Sequence, residues 1–328
     1  MQNLKIKLNQ LLESAFNSLP VPQEPSSLYN PVRYINELGG KRLRPRLVLL
    51  SAGLCGGKPQ SALQPALAVE MLHNFTLVHD DIMDNAVTRR GKPTIHRKWD
   101  EATAILSGDV LFVLAMKQLA ISDAETGSDS GTLEMLRVFL DAVQTVCEGQ
   151  AMDMAFESRD DVTPEEYLEM IRAKTAALLR CSMELGAISA NADEAARQKC
   201  REIGETAGLA FQIQDDLLDA VGDAALTGKR IGGDILAGKK TWLSIAARQR
   251  ADDADRVLLN NISGNAQAGE SGILRIIRIY HDLGVIDDAV RAISAHYNKA
   301  LQLLDGFKES AYQSEIKALL DKLKIRET

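Results

Sequence analysis

The chain has 328 residues, and its 45 acidic against 38 basic side chains give a formal charge of −7, which excludes a general nucleic-acid surface. Its four cysteines, Cys55, Cys147, Cys181 and Cys200, lack CxxC spacing, so they read as buried reduced thiols rather than a metal or disulfide framework. Met1 to Lys7 has no signal-type apolar region and no stretch approaches about 18 apolar residues, so a soluble cytoplasmic protein without stable membrane insertion is expected.

Helical periodicity runs through almost every segment, and no alternating run is long enough for a strand, so the expected fold is all-α. The length allows two domains, but no segment marks a linker, and one large helical domain over 1–328 fits equally well. Residues 1–19 are predicted as an amphipathic helix that the proline-rich stretch after Leu19 breaks. A short helix near Asn30–Leu38 then meets Gly39-Gly40-Lys41-Arg42-Leu43-Arg44-Pro45. Two readings stand for that segment. It is an anion site, where glycines admit a ligand to the backbone and three cations gather within four residues, or it is a basic turn between helices.

A helix over Gln64–Asp84 carries Ala68, Met71, Leu72, Phe75, Val78 and Ile82 on its packing face and His73, Leu77, Asp80 and Asp84 on a second stripe. It ends in His79-Asp80-Asp81-Ile82-Met83-Asp84, echoed 135 positions later by Gln214-Asp215-Asp216-Leu217-Leu218-Asp219. Residues i and i+4 share a helix face, so Asp80 and Asp84 point one way, as do Asp215 and Asp219. Carboxylates that close repel unless a cation lies between them. A carboxylate-only site suits magnesium better than zinc or copper, and magnesium shares its coordination with waters and phosphates. The pattern therefore points to a phosphorylated ligand. A solvated acidic face would be flanked by Lys and Glu, whereas apolar runs (Phe75–Val78 and Leu209–Ile213) precede both motifs. His73 shares the carboxylate stripe, either as a satisfied core histidine or as a phosphate contact.

In Thr88-Arg89-Arg90-Gly91-Lys92-Pro93, Gly and Pro stop regular structure and leave two arginines beside the acidic cluster. Ion pairing with the aspartates is the plainer reading, while a magnesium diphosphate accounts for both signs of charge, since guanidinium groups grip phosphate oxygens in pairs. Helices follow over Glu101–Ile121 and Thr132–Glu157, with a surface loop at Asp123–Gly131. Thr163-Pro164-Glu165-Glu166 is a capping box with proline at the first helical position. The helix it opens carries Lys174-Thr175, the lysine either snorkelling outward or facing a cleft. After the second acidic motif, the basic, glycine-rich run from Thr227 to Thr241 suits closure over phosphates but lacks Walker A spacing. Gly272–Ile325 reads as three amphipathic helices separated near Gly284 and Gly306.

With these motifs in place, the chain resembles the trans-isoprenyl diphosphate synthases, the family of farnesyl and geranylgeranyl diphosphate synthases. The likeness is carried by GGKRLRP, HNFTLVHDDIMD, RRGKPT, GQAMDM, KTAALL, FQIQDDLLD, TGKRIGGDI and GKKT, in the family's order over roughly residues 29 to 305. The resemblance implies the all-α isoprenoid synthase fold, with helices around a central catalytic cavity, and a prenyltransferase that condenses isopentenyl diphosphate with an allylic diphosphate. It also implies a homodimer. Three magnesium ions are implied, two on Asp80 and Asp84 and one on Asp215, with Asp81, Asp216 and Asp219 in support. The allylic diphosphate would also meet Arg89, Lys174, Lys229 and Lys239, and isopentenyl diphosphate would occupy a metal-free pocket of Lys41, Arg44, His73 and Arg90. Thr175 and Gln212 are the implied stabilisers of positive charge on the allyl fragment.

The positions four and five before the first aspartate, Thr76 and Phe75, are where the family sets chain length. Around an ideal helix Thr76 lies about 40° from Asp80 and Phe75 about 140°. One aromatic and one small residue imply a farnesyl or geranylgeranyl product, with Phe75 blocking elongation. The first motif lacks the longer spacing of many bacterial farnesyl synthases, so length does not transfer from those enzymes. Competing readings are a longer-chain polyprenyl synthase, an HD-type metal phosphohydrolase built on His73, His79 and Asp80, a catalytically silent accessory subunit, and a terpene cyclase. The phosphohydrolase leaves the duplicated motif unexplained, with His96, His281 and His296 scattered; an accessory subunit would lose aspartates that are all present; a cyclase would carry Asn, Ser and Glu in the second motif.

Overall fold

A computed structural model of the chain describes residues 2–126, 129–222 and 231–324. The chain forms two compact units, the first from Met1–Val143, Cys181–Arg201 and Phe307–Ile316, the second from Gln144–Arg180, Glu202–Gly306 and Lys317–Thr328.

In the first unit, α1 (Gln2–Asn17), α2 (Ser26–Glu37) and α3 (Leu43–Leu54) lead into α4 (Leu63–Met83). A hairpin of β1 (Thr88–Arg89) and β2 (Lys92–Pro93) follows, then α5 (Ile95–Lys98), α6 (Glu101–Thr126) and the start of α7 (Asp129–Glu157). Every residue of α4 from Pro65 to Leu72 is buried, which is the mark of a helix surrounded by others. It packs chiefly on α6 and also on α3 and α2. The approach of α6 is close enough that a Cβ on Gly108 would fall 2.2 Å from Nε2 of His79. Of the predicted packing face, Ala68, Met71, Leu72 and Val78 are buried, and Phe75 and Ile82 are half-buried.

In the second unit, α8 (Pro164–Ile171) runs into a π-helical turn (Arg172–Ala176) and the start of α9 (Ala177–Ser189); the rest of α9 from Cys181 and the start of α10 (Glu194–Val221) up to Arg201 belong to the first unit. Then come α11 (Gly233–Ala237), α12 (Trp242–Arg250), α13 (Asp253–Ile262), α14 (Gly269–Asp282) and α15 (Val285–Asp305), while α16 (Ala311–Lys324) begins in the first unit and ends in the second. The capping box forms as predicted: Glu166 N–H donates to Oγ1 of Thr163 at 3.2 Å, and Thr163 N–H to the Glu166 carboxylate at 2.9 Å. Tyr167, Tyr280 and Tyr297 are the bulkiest fully buried side chains of this unit, and α12 packs on α8, α14 and α15.

Several sequence expectations are corrected. The loop predicted at Asp123–Gly131 is helical up to Thr126 and again from Asp129, because helix propagation from two long packed segments outweighs weak local formers. Arg89 to Lys92 forms a two-residue hairpin whose turn residues, Arg90 (φ 53°) and Gly91 (φ 74°), both take positive φ, the geometry of a tight hairpin turn. The second helix starts at Ser26, earlier than Asn30, and α3 begins at Leu43, within the segment read as an anion site or a basic turn between helices. Glu101–Ile121 does contain a window long and apolar enough to cross a membrane, with mean hydropathy 1.7 and 44% of it buried. Cys147 is exposed and Cys55 only half-buried, while Cys181 and Cys200 are buried.

Candidate active site

In the first unit, the site grows from the end of α4. The stripe His73, Leu77, Asp80 and Asp84 faces away from the helix-packed core, with its first three members half-buried and Asp84 exposed. Asp84 caps the helix, its N–H donating to the Asp80 carbonyl at 2.8 Å. Asp81 points the other way. Its buried carboxylate accepts from Nε of Arg89 at 2.8 and 2.9 Å, and Nη2 of Arg89 lies 2.7 Å from Oδ1. The ion-pair reading of Arg89 is thus realised at Asp81, which ties the hairpin to the acidic helix end.

About two turns further back along α4, at His73, lies a concentration of positive charge. Arg44, in the first turn of α3, donates from Nη1 to Nε2 of His73 at 3.2 Å. Arginine has no acceptor, so His73 accepts there and carries its hydrogen on Nδ1. Burial pushes the His73 imidazole well below its ordinary pKa, and Arg44, Arg90, Arg89 and Arg42 press it the same way. Burial also lowers Arg44 to about 10, with Glu70 opposing and Arg90 adding to the shift, and Nε of Arg44 is buried without a hydrogen-bond partner. Arg42 is braced by Glu70 at 2.8 Å and by the carbonyl of Asn36 at 2.8 Å. Arg90 lies over the Gly39-Gly40 turn, where a Cβ on Gly40 would sit 2.7 Å from its Nη2. The glycine thus admits a guanidinium to the backbone. Lys41 is exposed beside it. Arg42 entered the sequence reading only as one of three clustered cations, and Glu70 was not singled out, although a glutamate inside the apolar run Ala66–Leu72 was a signal.

Phe75 is fixed by two aromatic neighbours, with ring centroids 4.7 Å from His79 and 5.9 Å from Phe112 on α6. Thr76 turns its hydroxyl back to the His73 carbonyl at 2.9 Å. His79 Nε2 lies 3.3 Å from the carbonyl of Ile105, so both histidines of the phosphohydrolase reading are engaged elsewhere. His281 and Asp282 stand exposed at the end of α14.

In the second unit, Lys174 and Thr175 sit in the π-helical turn, an irregularity that often accompanies functional positions. Gly149 of α7 makes room for it, since a Cβ there would meet the Lys174 amide nitrogen at 2.3 Å. Lys174 Nζ pairs with Asp153 at 2.5 Å. Thr175 donates to Oε1 of Gln212 at 2.7 Å, and Nε2 of Gln212 donates to Oδ1 of Asp216 at 3.0 Å. The other Asp216 oxygen accepts from the Tyr167 hydroxyl at 2.5 Å and from the Trp242 amide at 3.1 Å. Burial raises Asp216 to about 7, against these donors. Asp219 accepts from the amide of Asp234 at 2.8 Å and from Gly232 N–H on its own carbonyl at 2.6 Å, so it anchors the start of α11. Asp215, next to Asp216 in α10, is half-buried where Asp216 is buried. Elsewhere in this unit a small, solvent-open cleft is lined by Asp234, Lys239, Lys240, Thr241 and Arg248 among others. Lys229 lies outside the described residues.

Among the described residues, no three His, Cys, Asp or Glu side chains converge to hold a metal ion by themselves. Carboxylates offered singly or in pairs fit magnesium, which completes its shell with waters and substrate phosphates.

The polyprenyl synthetase family model matches residues 25–280. The chain belongs to this family. It is 41% identical to the geranylgeranyl diphosphate synthase of Saccharolobus solfataricus, over 85% of this chain and 81% of the relative. It is 37% identical to the geranylfarnesyl diphosphate synthase of Natronomonas pharaonis, over 84% of this chain and 83% of the relative. A solved geranylgeranyl pyrophosphate synthetase from Pyrococcus horikoshii superposes with a TM-score of 0.92 at 37% identity, covering 99% of this chain and 98% of the other. As a polyprenyl synthetase the protein is a prenyltransferase of the all-α isoprenoid synthase fold, which removes the phosphohydrolase reading.

Proposed function

We propose that this prenyltransferase condenses isopentenyl diphosphate with dimethylallyl, geranyl or farnesyl diphosphate to give farnesyl or geranylgeranyl diphosphate. The observation that carries the reading is the arginine cluster around a neutral His73. Arg42, Arg44, Arg89 and Arg90 all depress the imidazole, and Arg44 keeps a buried Nε without a partner. A diphosphate supplies the negative charge and the acceptors that this cluster calls for. Isopentenyl diphosphate takes that place, against Arg44, Arg90, His73 and the exposed Lys41.

Asp80 and Asp84 would hold two magnesium ions and Asp215 a third, with Asp81, Asp216 and Asp219 fixing the helix ends and turns around them. Magnesium bound there would supply positive charge for the leaving diphosphate of the allylic substrate. Arg89, Lys174, Lys229 and Lys239 add fixed positive charge for the same oxygens. The oxygens of Thr175 and Gln212 face the allyl fragment with partial negative charge. The isopentenyl double bond attacks that fragment, and the proton then lost passes to the released diphosphate, so no side-chain nucleophile is required.

Two further parts of the reading concern assembly and location. Ile105, Leu106 and Val113 of α6 and Leu133 and Leu140 of α7 are exposed apolar side chains of the first unit, and a second copy of the chain covers them in a homodimer. That also accounts for the hydropathy of α6 without a membrane, in keeping with a cytoplasmic enzyme.

The test is incubation with isopentenyl diphosphate, magnesium and each of the three allylic diphosphates, followed by chromatography of the dephosphorylated products. Farnesol or geranylgeraniol is expected as the end product. Longer alcohols would assign a longer-chain synthase, and no condensation with any primer would overturn the proposal.

A further inference from the structure

Two cysteines of the first unit, 145 positions apart in sequence, have their sulfur atoms in contact. Cys55 is the C-cap of α3 and is half-buried, and Cys200 is buried in α10. Their Sγ atoms are 3.8 Å apart. Ser51, itself buried, places its hydroxyl 3.4 Å from Cys200 Sγ while bonding the Met183 carbonyl at 2.5 Å, so Cys200 is held among buried neighbours. Cys55 stands at a helix end, followed by Gly56 at φ 84°, where a rotation about Cα–Cβ disturbs little packing. The pair is neither the lone thiol of a packed core nor part of the diphosphate machinery.

We infer that Cys55 and Cys200 form a reactive thiol pair that a low-molecular-weight disulfide oxidises to an internal disulfide. The sulfurs must close by roughly 2 Å to bond, and the half-buried Cys55 supplies that movement. The chemistry divides between them. The hydrogen bond from Cys200 holds the Cys55 thiol below its ordinary pKa, with Arg197 helping and burial and Asp193 opposing. The same contact, and burial, hold Cys200 up. Cys55 therefore attacks as thiolate, and Cys200 resolves.

The steps balance as two thiol–disulfide exchanges. The Cys55 thiolate attacks one sulfur of oxidised glutathione, breaking its S–S bond and releasing one glutathione thiolate. Cys200 loses its proton and attacks the Cys55 sulfur of the mixed disulfide, which expels the second glutathione. Two protein thiols are oxidised by two electrons, and one glutathione disulfide is reduced to two glutathiones. The product ties the end of α3 to α10. Excess dithiol reverses it.

The experiment treats the full-length Cys147→Ser protein, which lacks the exposed thiol, with oxidised glutathione under native conditions, then blocks remaining thiols and maps peptides by mass spectrometry. The expected result is a Cys55–Cys200 linked peptide, no retained glutathione, and Cys181 still alkylated. Cys200→Ser in that background is expected to stop at glutathione on Cys55, and Cys55→Ser to leave Cys200 a free thiol. The oxidised protein is expected to melt a few degrees higher, since the bond closes a long loop. Glutathione retained on Cys55 while Cys200 stays alkylatable in the Cys147→Ser protein would overturn the inference. So would both cysteines remaining thiols under conditions that modify Cys147 in the parent protein.

Discussion

The hydroxyl of Thr175 donates to Oε1 of Gln212 at 2.7 Å, and this fixes which way the Gln212 amide points. Its Nε2 is then committed to Asp216, and Asp216 in turn to Tyr167 and the Trp242 amide. A residue assigned to the cation and a residue of the second acidic motif thus belong to one directed chain.

Asp216→Asn is expected to reverse that chain. An amide nitrogen facing Gln212 forces its side chain over, so Nε2 then donates to Thr175 and the threonine hydrogen turns outward. Turnover with geranyl diphosphate should fall about 10–100-fold, the range for a group that positions others, with the helical circular dichroism unchanged. Activity within a factor of about two would separate Asp216 from the reaction.

The same carboxylate gives a stability signature in metal-free buffer. Its folded pKa, about 7, lies above the ordinary 3.8, so between those values the folded protein binds more protons than the unfolded chain. Stability from this group is therefore present at low pH and lost as pH rises toward 7. Denaturant titrations should show that slope in the parent protein and a flatter profile in Asp216→Asn.

His73 has the opposite sign. Its pKa is depressed in the folded state, so the unfolded chain takes up a proton first as pH falls below about 6.5. Stability should decline on that side by at most about 1.4 kcal/mol per pH unit. His73→Gln keeps an acceptor for Arg44 and is expected to lose part of the decline. His296, also depressed by burial, retains the remainder. In steady-state assays the same variant should raise KM for isopentenyl diphosphate more than KM for the allylic primer.

Asp81→Asn removes the buried partner of Arg89. A fully buried pair costs about 3–5 kcal/mol to break, but the Arg89 side chain keeps 27% exposure, so about 2 kcal/mol is expected in thermal or denaturant unfolding. Diphosphate affinity should weaken as well, since the hairpin that carries Arg89 and Arg90 loses its anchor. A stability change below about 0.5 kcal/mol would show the pair to be replaceable by solvent.

Phe75 rests between His79 and Phe112, so its ring has one place to lie. Phe75→Ala should lengthen the principal product by at least one isoprene unit, read as a shift in reversed-phase retention of the dephosphorylated alcohols. Unchanged length would remove Phe75 from control of elongation. Phe112→Ala is expected to shift the product the same way by freeing the Phe75 ring.

Much of this protein is legible without coordinates because its signals are local. Period-3.6 patterning in Gln64–Asp84, the Thr163–Glu166 capping box and the glycines at 284 and 306 determine where helices run, and the i, i+4 spacing of Asp80 with Asp84 and of Asp215 with Asp219 determines which carboxylates share a face. Failures came where local preference was weak or misleading. The polar run after Ile121 read as a loop because composition cannot weigh the packing of the helices on either side. Arg90-Gly91 read as irregular because a two-residue ladder is too short to leave a periodic trace.

The tertiary structure alone decided what each charged side chain does. Spacing could not tell that Asp81 and Asp216 turn inward, one to Arg89 and the other to Tyr167 and Gln212, or that Glu70 braces Arg42 from within α4. Nor could it bring Cys55 within 3.8 Å of Cys200. The periodicity of one helix determines the directions of its side chains, but a partner across the fold depends on how separate helices pack, and that is set by many weak contacts distributed over the whole chain.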